Sequence, residues 1–407
     1  MPFEAPEHAP PGARRIAADF GASYAVNALV AFIFATTGPV AIILAVGRHG
    51  KLAESDISSW MFGAFFLNGL ISLAFCWLYR QPLVILWSIP GAVLIGPALG
   101  HLSFAEVIGA YHATGLLILV LGASGWVRRA MHAAVMPIVM GMVAGVYLRF
   151  GLDLVYALRD DLWIAAPMAA AFLALSARPR LAVPPLIGSL AVGAAAIAIL
   201  DRFQPGTGAI FSFAQPNLYM PVFSWRAIVE LVVPLAITVL VVQNGQGYAV
   251  LGAAGHEPPI NAVTLASGAG SMLGALVGSV STCLTGPVNA ILSSSGERSR
   301  QYTSGMLVGL LVLAFGALAP TFTHLMLATP TAFIATLGGL AMLRVLQTAF
   351  IASFRTTHTF GALMSFIVTV ADVPIFTIGA PFWGLVIGYL CSRLIEPGDF
   401  AKSRESA

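Results

Sequence analysis

The chain is a succession of apolar stretches separated by short polar connections. A membrane-spanning helix needs about 20 predominantly apolar residues. Twelve stretches meet or approach that length, at residues 24–46, 57–79, 104–126, 131–150, 162–177, 181–200, 228–251, 260–277, 304–325, 331–346, 360–370 and 376–394. The pattern therefore predicts twelve spanning segments.

Two further apolar stretches, 83–100 and 279–295, are short and are broken in the middle by a Pro-Gly or Gly-Pro pair. Their sequences, LWSIPGAVLIG and STCLTGPVNAI, each combine an extended-looking lead with a helix-compatible tail. Irregular backbone inside a membrane is tolerated only where protein or a water-filled cavity surrounds it. Short Gly/Pro-broken segments at matching places in two halves are a pointer to a transporter's substrate site. The alternative is two ordinary helices kinked by proline.

The two broken segments bring the number of elements to fourteen, seven on each side of a polar connecting segment. An odd number in each half would insert the second half upside down, which predicts an all-α polytopic membrane protein with a seven-plus-seven inverted repeat. The predicted parts are an N-terminal tail, a first repeat, a connecting segment, a second repeat and a C-terminal tail, at residues 1–23, 24–200, 201–225, 226–395 and 396–407.

Composition supports a membrane protein and excludes several other classes. The 407 residues are 58% hydrophobic and only 9% charged, against about 25% charged in soluble chains. The net charge of +3 includes no basic run, so no nucleic-acid partner is expected. The three cysteines lack metal-ligand spacing, and no metal or cofactor is expected. With the N-terminus inside, most loop Arg and Lys fall on the cytosolic side, which predicts cytosolic termini.

The broken segments can bind an anion at the places where their helices begin. A Pro-Gly pair that restarts a helix leaves backbone N–H groups without partners. Those donors and the positive end of the helix dipole form a ready anion site. Ser88 and Thr285 precede the two helix-compatible tails and suit the N-cap position.

A second polar cluster, QNGQGY at residues 243–248, interrupts the first span of the second half. Uncharged amides inside a membrane usually face the interior of a bundle, where they hydrogen-bond between helices. The density of polar side chains in this short stretch favours a cavity wall over contacts between helices alone.

At these residues the sequence resembles the bacterial benzoate:proton symporter family, often labelled BenE. The resemblance covers residues 17–396 and is carried by WSIPGAVLIG, VVQNGQGYAVL, TCLTGPVNAILSSSGE and the Gly-Pro of ATTGPVAIIL. That family is similar in architecture to uracil/xanthine permeases and sulfate-type anion transporters. The resemblance implies that the third and tenth elements are half strand and half helix. It also implies that a core domain (elements 1–4 and 8–11) moves against a gate domain (elements 5–7 and 12–14).

The resemblance also implies a set of substrate-binding residues. The substrate carboxylate would lie near Ser88, Gly91, Thr285 and Gly286, and the polar side of the site would be lined by Gln243, Asn244 and Asn289. The uracil permeases carry acidic residues in the eighth and tenth elements, where this chain has amides. That departure suits an anionic substrate and leaves the proton-coupling group open.

Few titratable residues lie inside the predicted spans, and each has two interpretations. Glu230 lies four residues after Arg226, which predicts an interfacial ion pair and leaves proton coupling as the alternative. His112 is expected to hydrogen-bond between helices, and its near-neutral reference pKa keeps it as a proton-coupling candidate. Asp372 is expected to cap a loop. Arg344 either extends to the cytosolic edge or holds an anion.

Together these features predict a secondary transporter of the bacterial inner membrane that imports benzoate with protons by alternating access. Its expected partners are a small carboxylate, protons and the lipid bilayer, and a homo-oligomer is left open. The alternatives are transport of a nucleobase or an inorganic anion, or an anion channel. Without HExxH, GxSxG or phosphate-loop motifs, the chain is not expected to be an enzyme. The apolar wall for a ring is expected from Ile89, Val288, Met140 and Phe333.

Overall fold

The computed structural model describes residues 4–127, 129, 135–178, 184–204, 211–294, 296–376 and 378–400. The described part is mainly helical, with two short strands. The helices of the first half are α1 (Ala13–Asp19), α2 (Ala22–His49), α3 (Glu54–Tyr79), α4 (Ile89–Ala98), α5 (Phe104–Ser124), α6 (Met136–Asp160), α7 (Leu162–Ser176) and α8 (Pro185–Ile199). Those of the second half are α9 (Trp225–Ala253), α10 (Ile260–Ala275), α11 (Gly286–Leu292), α12 (Tyr302–Ala317), α13 (Ala319–Leu327), α14 (Thr331–Phe354), α15 (Thr359–Ala371) and α16 (Ala380–Ile395). The strands are β1 (Ile85–Trp87) and β2 (Thr282–Leu284).

Within the described residues, six helices are long and apolar enough to cross a membrane, namely α2, α3, α5, α6, α9 and α14. Four predicted spans form shorter apolar helices of 13 to 16 residues, α7, α8, α15 and α16. The stretch 304–325, expected to be a single span, is α12 and α13 joined at a bend of 65°. Pro320 lies at the second position of α13, where proline tolerates a helix start but not a continued helix.

The helices pack into two groups. In the first, α2, α3, α5, α9, α10 and α12 surround the strands together with α4 and α11. In the second, α6 packs along α14 and α15, α15 packs on α16, and α7 pairs with α8. The groups meet where α14 contacts α2, α16 contacts α9, and α6 contacts α4. They contain the elements expected for a core and a gate domain, and they are called the core group and the gate group below.

The N-terminal segment, expected to be a tail, is bound to the core group. The Glu4 carboxylate accepts hydrogen bonds from the backbone amides of Asn261 and Ala262 at 3.1 and 3.0 Å, and so caps the start of α10. The indole of Trp77 donates to the carbonyl of Pro11. At the other end of the chain, residues 401–407 of the predicted C-terminal tail lie outside the described residues.

Candidate functional site

The two broken segments meet at the centre of the core group as an antiparallel pair of strands. The register pairs Ile85 with Leu284, Leu86 with Cys283, and Trp87 with Thr282. The pairing continues beyond both ends, because the Ser88 amide donates to the carbonyl of Ser281 at 2.8 Å and the Thr285 amide donates to the carbonyl of Val84 at 3.2 Å. The strands therefore bring the beginnings of α4 and α11 close to each other.

Hydroxyl groups from neighbouring helices satisfy the outer edges of this two-stranded ribbon. The Ile85 amide donates to Ser72 Oγ, and the Thr282 amide donates to Ser271 Oγ, both at 2.9 Å. A strand edge in a membrane interior has no water to bond with, so protein groups must pair its N–H groups. The two serines occupy equivalent positions about the local twofold axis of the antiparallel pair.

Two asparagines expected to line the substrate site make hydrogen bonds to the broken segments. Asn289 Oδ1 accepts from the Val84 amide at 3.0 Å, and its Nδ2 donates to the Val84 carbonyl at 3.1 Å. Asn244 Oδ1 accepts from the Leu284 amide at 2.7 Å, and its Nδ2 donates to Ser267 Oγ at 3.3 Å. Both side chains are fully buried. Both amides are thus hydrogen-bonded to the broken segments that carry the half-helices.

The helices that follow the strands begin with the residues predicted for the N-caps. Ser88 Oγ accepts from the Gly91 amide at 3.1 Å and caps α4. Thr285 occupies the N-cap position of α11, but its hydroxyl makes no capping bond. Within the described residues, the amides of Ile89 and Gly286 donate no hydrogen bond. These amides are the unpaired donors that a helix start offers to an anion.

A cavity of about 1000 Å³ lies between the core and gate groups and is lined by the first turns of both half-helices, at Ile89, Pro90 and Pro287. Its wall is mainly apolar and includes Phe34, Met136, Met140, Val143, Tyr147, Phe172, Leu186 and Leu340. Polar lining comes from Gln243, Gln246, Tyr248, Arg344 and Thr348. None of the described lining residues is acidic, so no fixed negative charge opposes an anion in this cavity.

Two glutamines on α9 present amides to the cavity. Gln243 and Gln246 both line it, and neither amide has a hydrogen-bond partner within the described chain. Gln246 lies against Gly286, where a Cβ atom would come within 2.5 Å of the Gln246 Cγ. The close approach of the glutamine thus requires glycine at the start of α11.

Gln243 was among the residues predicted to line the site, and Gln246 was not. A π-helical turn at Thr238–Asn244 changes the angular spacing just before the polar cluster. The turn directs Asn244 to β2 and leaves the two glutamines, three residues apart, on the cavity side. That spacing of three was the available signal for Gln246.

Of the four residues expected to contact an aromatic ring, two line the cavity and two do not. Ile89 and Met140 line the cavity. Val288 and Phe333 are buried in the protein and do not line it. Phe333 packs against Gly193 on α8.

Glu230 has a different partner from the one predicted. The Glu230 side chain is almost fully buried. Its Oε2 lies 3.0 Å from Nε2 of His101, a residue in the connection after α4, whereas the predicted partner was the arginine four residues earlier. The carboxyl group packs against Gly379, which precedes gate helix α16. His112 lies elsewhere, with Nδ1 3.0 Å from the carbonyl of Ile108 in its own helix.

A second cavity of about 410 Å³ lies at the opposite end of the interface between the groups. Its lining includes the ionisable side chains of His49, Arg149, Asp153 and Asp372. Arg149 pairs with Asp372 at 3.5 Å, and Asp372 is the C-cap residue of α15. Among the described residues, no group of three or more His, Cys, Asp or Glu side chains could hold a metal ion.

Comparisons with known proteins agree with these observations. A family model described as benzoate membrane transport protein (BenE) matches residues 18–394. The chain is 27% identical over 367 residues to the inner membrane protein YdcO of Escherichia coli K12, covering 89% of this chain and 93% of that protein. It is 25% identical over 379 residues to the benzoate membrane transport protein of Acinetobacter baylyi, with coverage of 91% and 95%.

Solved structures show the fold. The transmembrane domain of the cyanobacterial bicarbonate transporter BicA gives a TM-score of 0.60 at 14% identity, over 89% of this chain and 97% of that chain. SLC26A9 gives a TM-score of 0.62 at 14% identity, over 91% of this chain and 64% of that chain. The predicted fold class, a mainly helical polytopic membrane protein, is confirmed, and its fold is that of these two solved structures.

Proposed function

The chain belongs to the benzoate membrane transport protein family, and from that premise we propose that it imports an aromatic carboxylate, with benzoate as the leading substrate, together with protons. The observation that carries this proposal is the cavity of about 1000 Å³, whose apolar wall meets the beginnings of two half-helices. An apolar wall suits an aromatic ring, and unpaired helix-start amides suit a carboxylate. The free amides of Gln243 and Gln246 add donors beside them.

The two cavities suggest how access alternates. They lie at opposite ends of the interface between the core and gate groups. If the termini are cytosolic, as the distribution of Arg and Lys predicts, the larger cavity lies at the cytosolic end and corresponds to an inward-facing state. Movement of the core against the gate in a bacterial inner membrane would close this cavity and open the smaller one to the outside.

Proton coupling is assigned in this proposal to Glu230 and His101. The Glu230 carboxyl group is buried between α9 and the start of α16, where the core contacts the gate, and the more exposed His101 reaches it from the connection after α4. A carboxylate in such a place is costly without a partner. Protonation of Glu230 would alter its hydrogen bond to His101 and change the contact between the groups. His112 bonds within its own helix and is the weaker candidate.

Uptake of labelled benzoate into proteoliposomes tests the proposal. Wild-type protein should accumulate benzoate when the pH outside is lower than inside, and unlabelled benzoate should compete. Glu230→Gln should lose the response to the pH gradient while keeping counterflow exchange of benzoate. Glu257→Gln, an exposed loop variant, is the control. Uptake by wild-type protein that does not depend on the pH gradient would exclude proton symport. A response of Glu230→Gln to the gradient would exclude Glu230 as the proton-coupling residue.

A nucleobase is the second candidate substrate, favoured by one observation. Two unpaired amides, Gln243 and Gln246, could pair with the polar edge of a base. Direct binding of benzoate and uracil to the purified protein separates the candidates. Tight binding of uracil without binding of benzoate would replace the proposed substrate. An inorganic anion is a poorer match to the largely apolar wall.

A further inference from the structure

Arg344 lies on the cavity face of gate helix α14. Ala341, Arg344, Thr348 and Ala352 all line the larger cavity and follow one another at spacings of three and four residues. Residues at these spacings share one face of a helix. Arg344 is the one cationic side chain among the described residues that line this cavity.

The guanidinium has unused hydrogen-bonding capacity. Its Nη1 donates to Oε1 of Gln347 at 3.0 Å, and no carboxylate of a described residue lies within ion-pair distance. An arginine side chain carries five N–H donors in a planar fork. A cation inside a spanning helix usually pairs with an anion or reaches an aqueous cavity. Here the open cavity takes the place of a protein partner.

The same face of α14 also touches the core group beside the half-helices. Gly38 packs against Ala341, so closely that a Cβ atom at position 38 would lie 2.6 Å from the Ala341 Cβ. Arg344 follows about one helical turn later, and Pro90 and Pro287 line the same cavity. The only arginine of the described lining and the two helix starts therefore line the same open cavity.

We propose that Arg344 is the gate-side half of the carboxylate site, which binds the carboxylate of an aromatic substrate in this open state. The inference rests on the proposed function and adds a substrate-binding residue on the gate group. Guanidinium and carboxylate form two parallel hydrogen bonds, a geometry that lysine cannot reproduce. The core helix starts hold the anion through backbone dipoles, and Arg344 receives it when the cavity opens. The site thereby selects an anion over a neutral molecule of the same shape.

Equilibrium binding of labelled benzoate to purified protein tests the role of Arg344. Arg344→Gln should weaken benzoate binding about ten- to hundredfold, the effect of losing hydrogen bonds between charged groups. Arg344→Lys should recover part of the loss. The inhibition constant of benzamide, the neutral isostere, should change less than threefold in either variant. Arg355→Gln, at the end of the same helix and outside the cavity lining, is the matched control and should bind as wild type.

The outcomes separate this inference from the proposed function. If wild-type protein fails to bind benzoate, the proposed function is wrong. If wild-type protein binds and Arg344→Gln binds equally well, the inference is overturned. An equal loss of benzoate and benzamide would also overturn it, because the effect would then be on shape and not on charge. Loss of co-purified phosphatidylglycerol from Arg344→Gln, with benzoate affinity intact, would assign the guanidinium to a lipid phosphate.

Discussion

The substitution Asn289→Ala tests whether this side chain holds the broken segments together or binds the substrate. The side chain makes two hydrogen bonds to the backbone of Val84, at 3.0 and 3.1 Å, where both residues are fully buried. Its removal leaves the buried N–H group of Val84 without a partner, whereas the Val84 carbonyl keeps its hydrogen bond from the Thr285 amide. The unpaired N–H costs about 1–3 kcal/mol and the second lost hydrogen bond about 1 kcal/mol, so the expected loss of unfolding free energy is about 2–4 kcal/mol. Because the entropy of unfolding grows with chain length, a chain of 407 residues shifts by about 1 °C per kcal/mol, so the midpoint of thermal unfolding should fall by roughly 2–4 °C.

Thermal unfolding of the purified protein in detergent, followed with and without benzoate, measures this effect. Asn261→Ala is the matched control, because the Oδ1 atom of Asn261 is buried without a hydrogen-bond partner and its loss removes no bond. The control should unfold close to the wild-type temperature. An unchanged unfolding temperature in Asn289→Ala, combined with a tenfold weaker affinity for benzoate, would refute the reasoning and return Asn289 to the substrate.

Three further predictions concern the cap, the interface and the C-terminal helix. Ser88→Ala removes the N-cap of α4 and should cost about 1 kcal/mol in thermal unfolding, whereas an unchanged midpoint would mean that the cap is dispensable. Gly38→Ala should slow benzoate counterflow because the new methyl group meets Ala341, and the double variant Gly38→Ala/Ala341→Gly should recover the rate if this contact is the cause. Burial alone would raise the pKa of Glu396, but the amides at the start of α15 hold that pKa below its usual value. The ionised carboxylate therefore stabilises the folded protein above the unfolded pKa of 4.5, and this stabilisation is lost as the pH falls through the lower folded pKa. Glu396→Gln should lower the free energy of unfolding at pH 7 and lower it progressively less below pH 4.5. A difference in stability that does not depend on pH would contradict this.

The sequence was sufficient to predict the two half-helices but not the contacts of the side chains around them. The Gly-Pro breaks identify both half-helices because proline and glycine act through local backbone geometry. Asn289 and Asn244 are different, since a buried amide can serve a ligand or an unpaired backbone group equally well. Only the position of the strands shows that backbone groups occupy both amides.

Partners distant in sequence account for the other differences. The i,i+4 spacing favoured an ion pair of Glu230 with Arg226, but the fold brings His101 from the preceding half to within 3.0 Å. Arg344 had two interpretations because spacing along a helix does not show whether a face meets lipid or a cavity. The structure places it in the cavity lining. Gln246 was missed although its spacing of three residues from Gln243 was a signal that the two share one face of a helix.

A structure determined with a halogenated substrate, 4-iodobenzoate, tests the central claim most directly. The account predicts an anomalous iodine peak inside the cavity of about 1000 Å³, among Phe34, Tyr147 and Phe172. The carboxylate should then point toward the helix starts at Pro90 and Pro287. An iodine peak confined to the smaller cavity, or no specific peak at saturating ligand, would contradict the account.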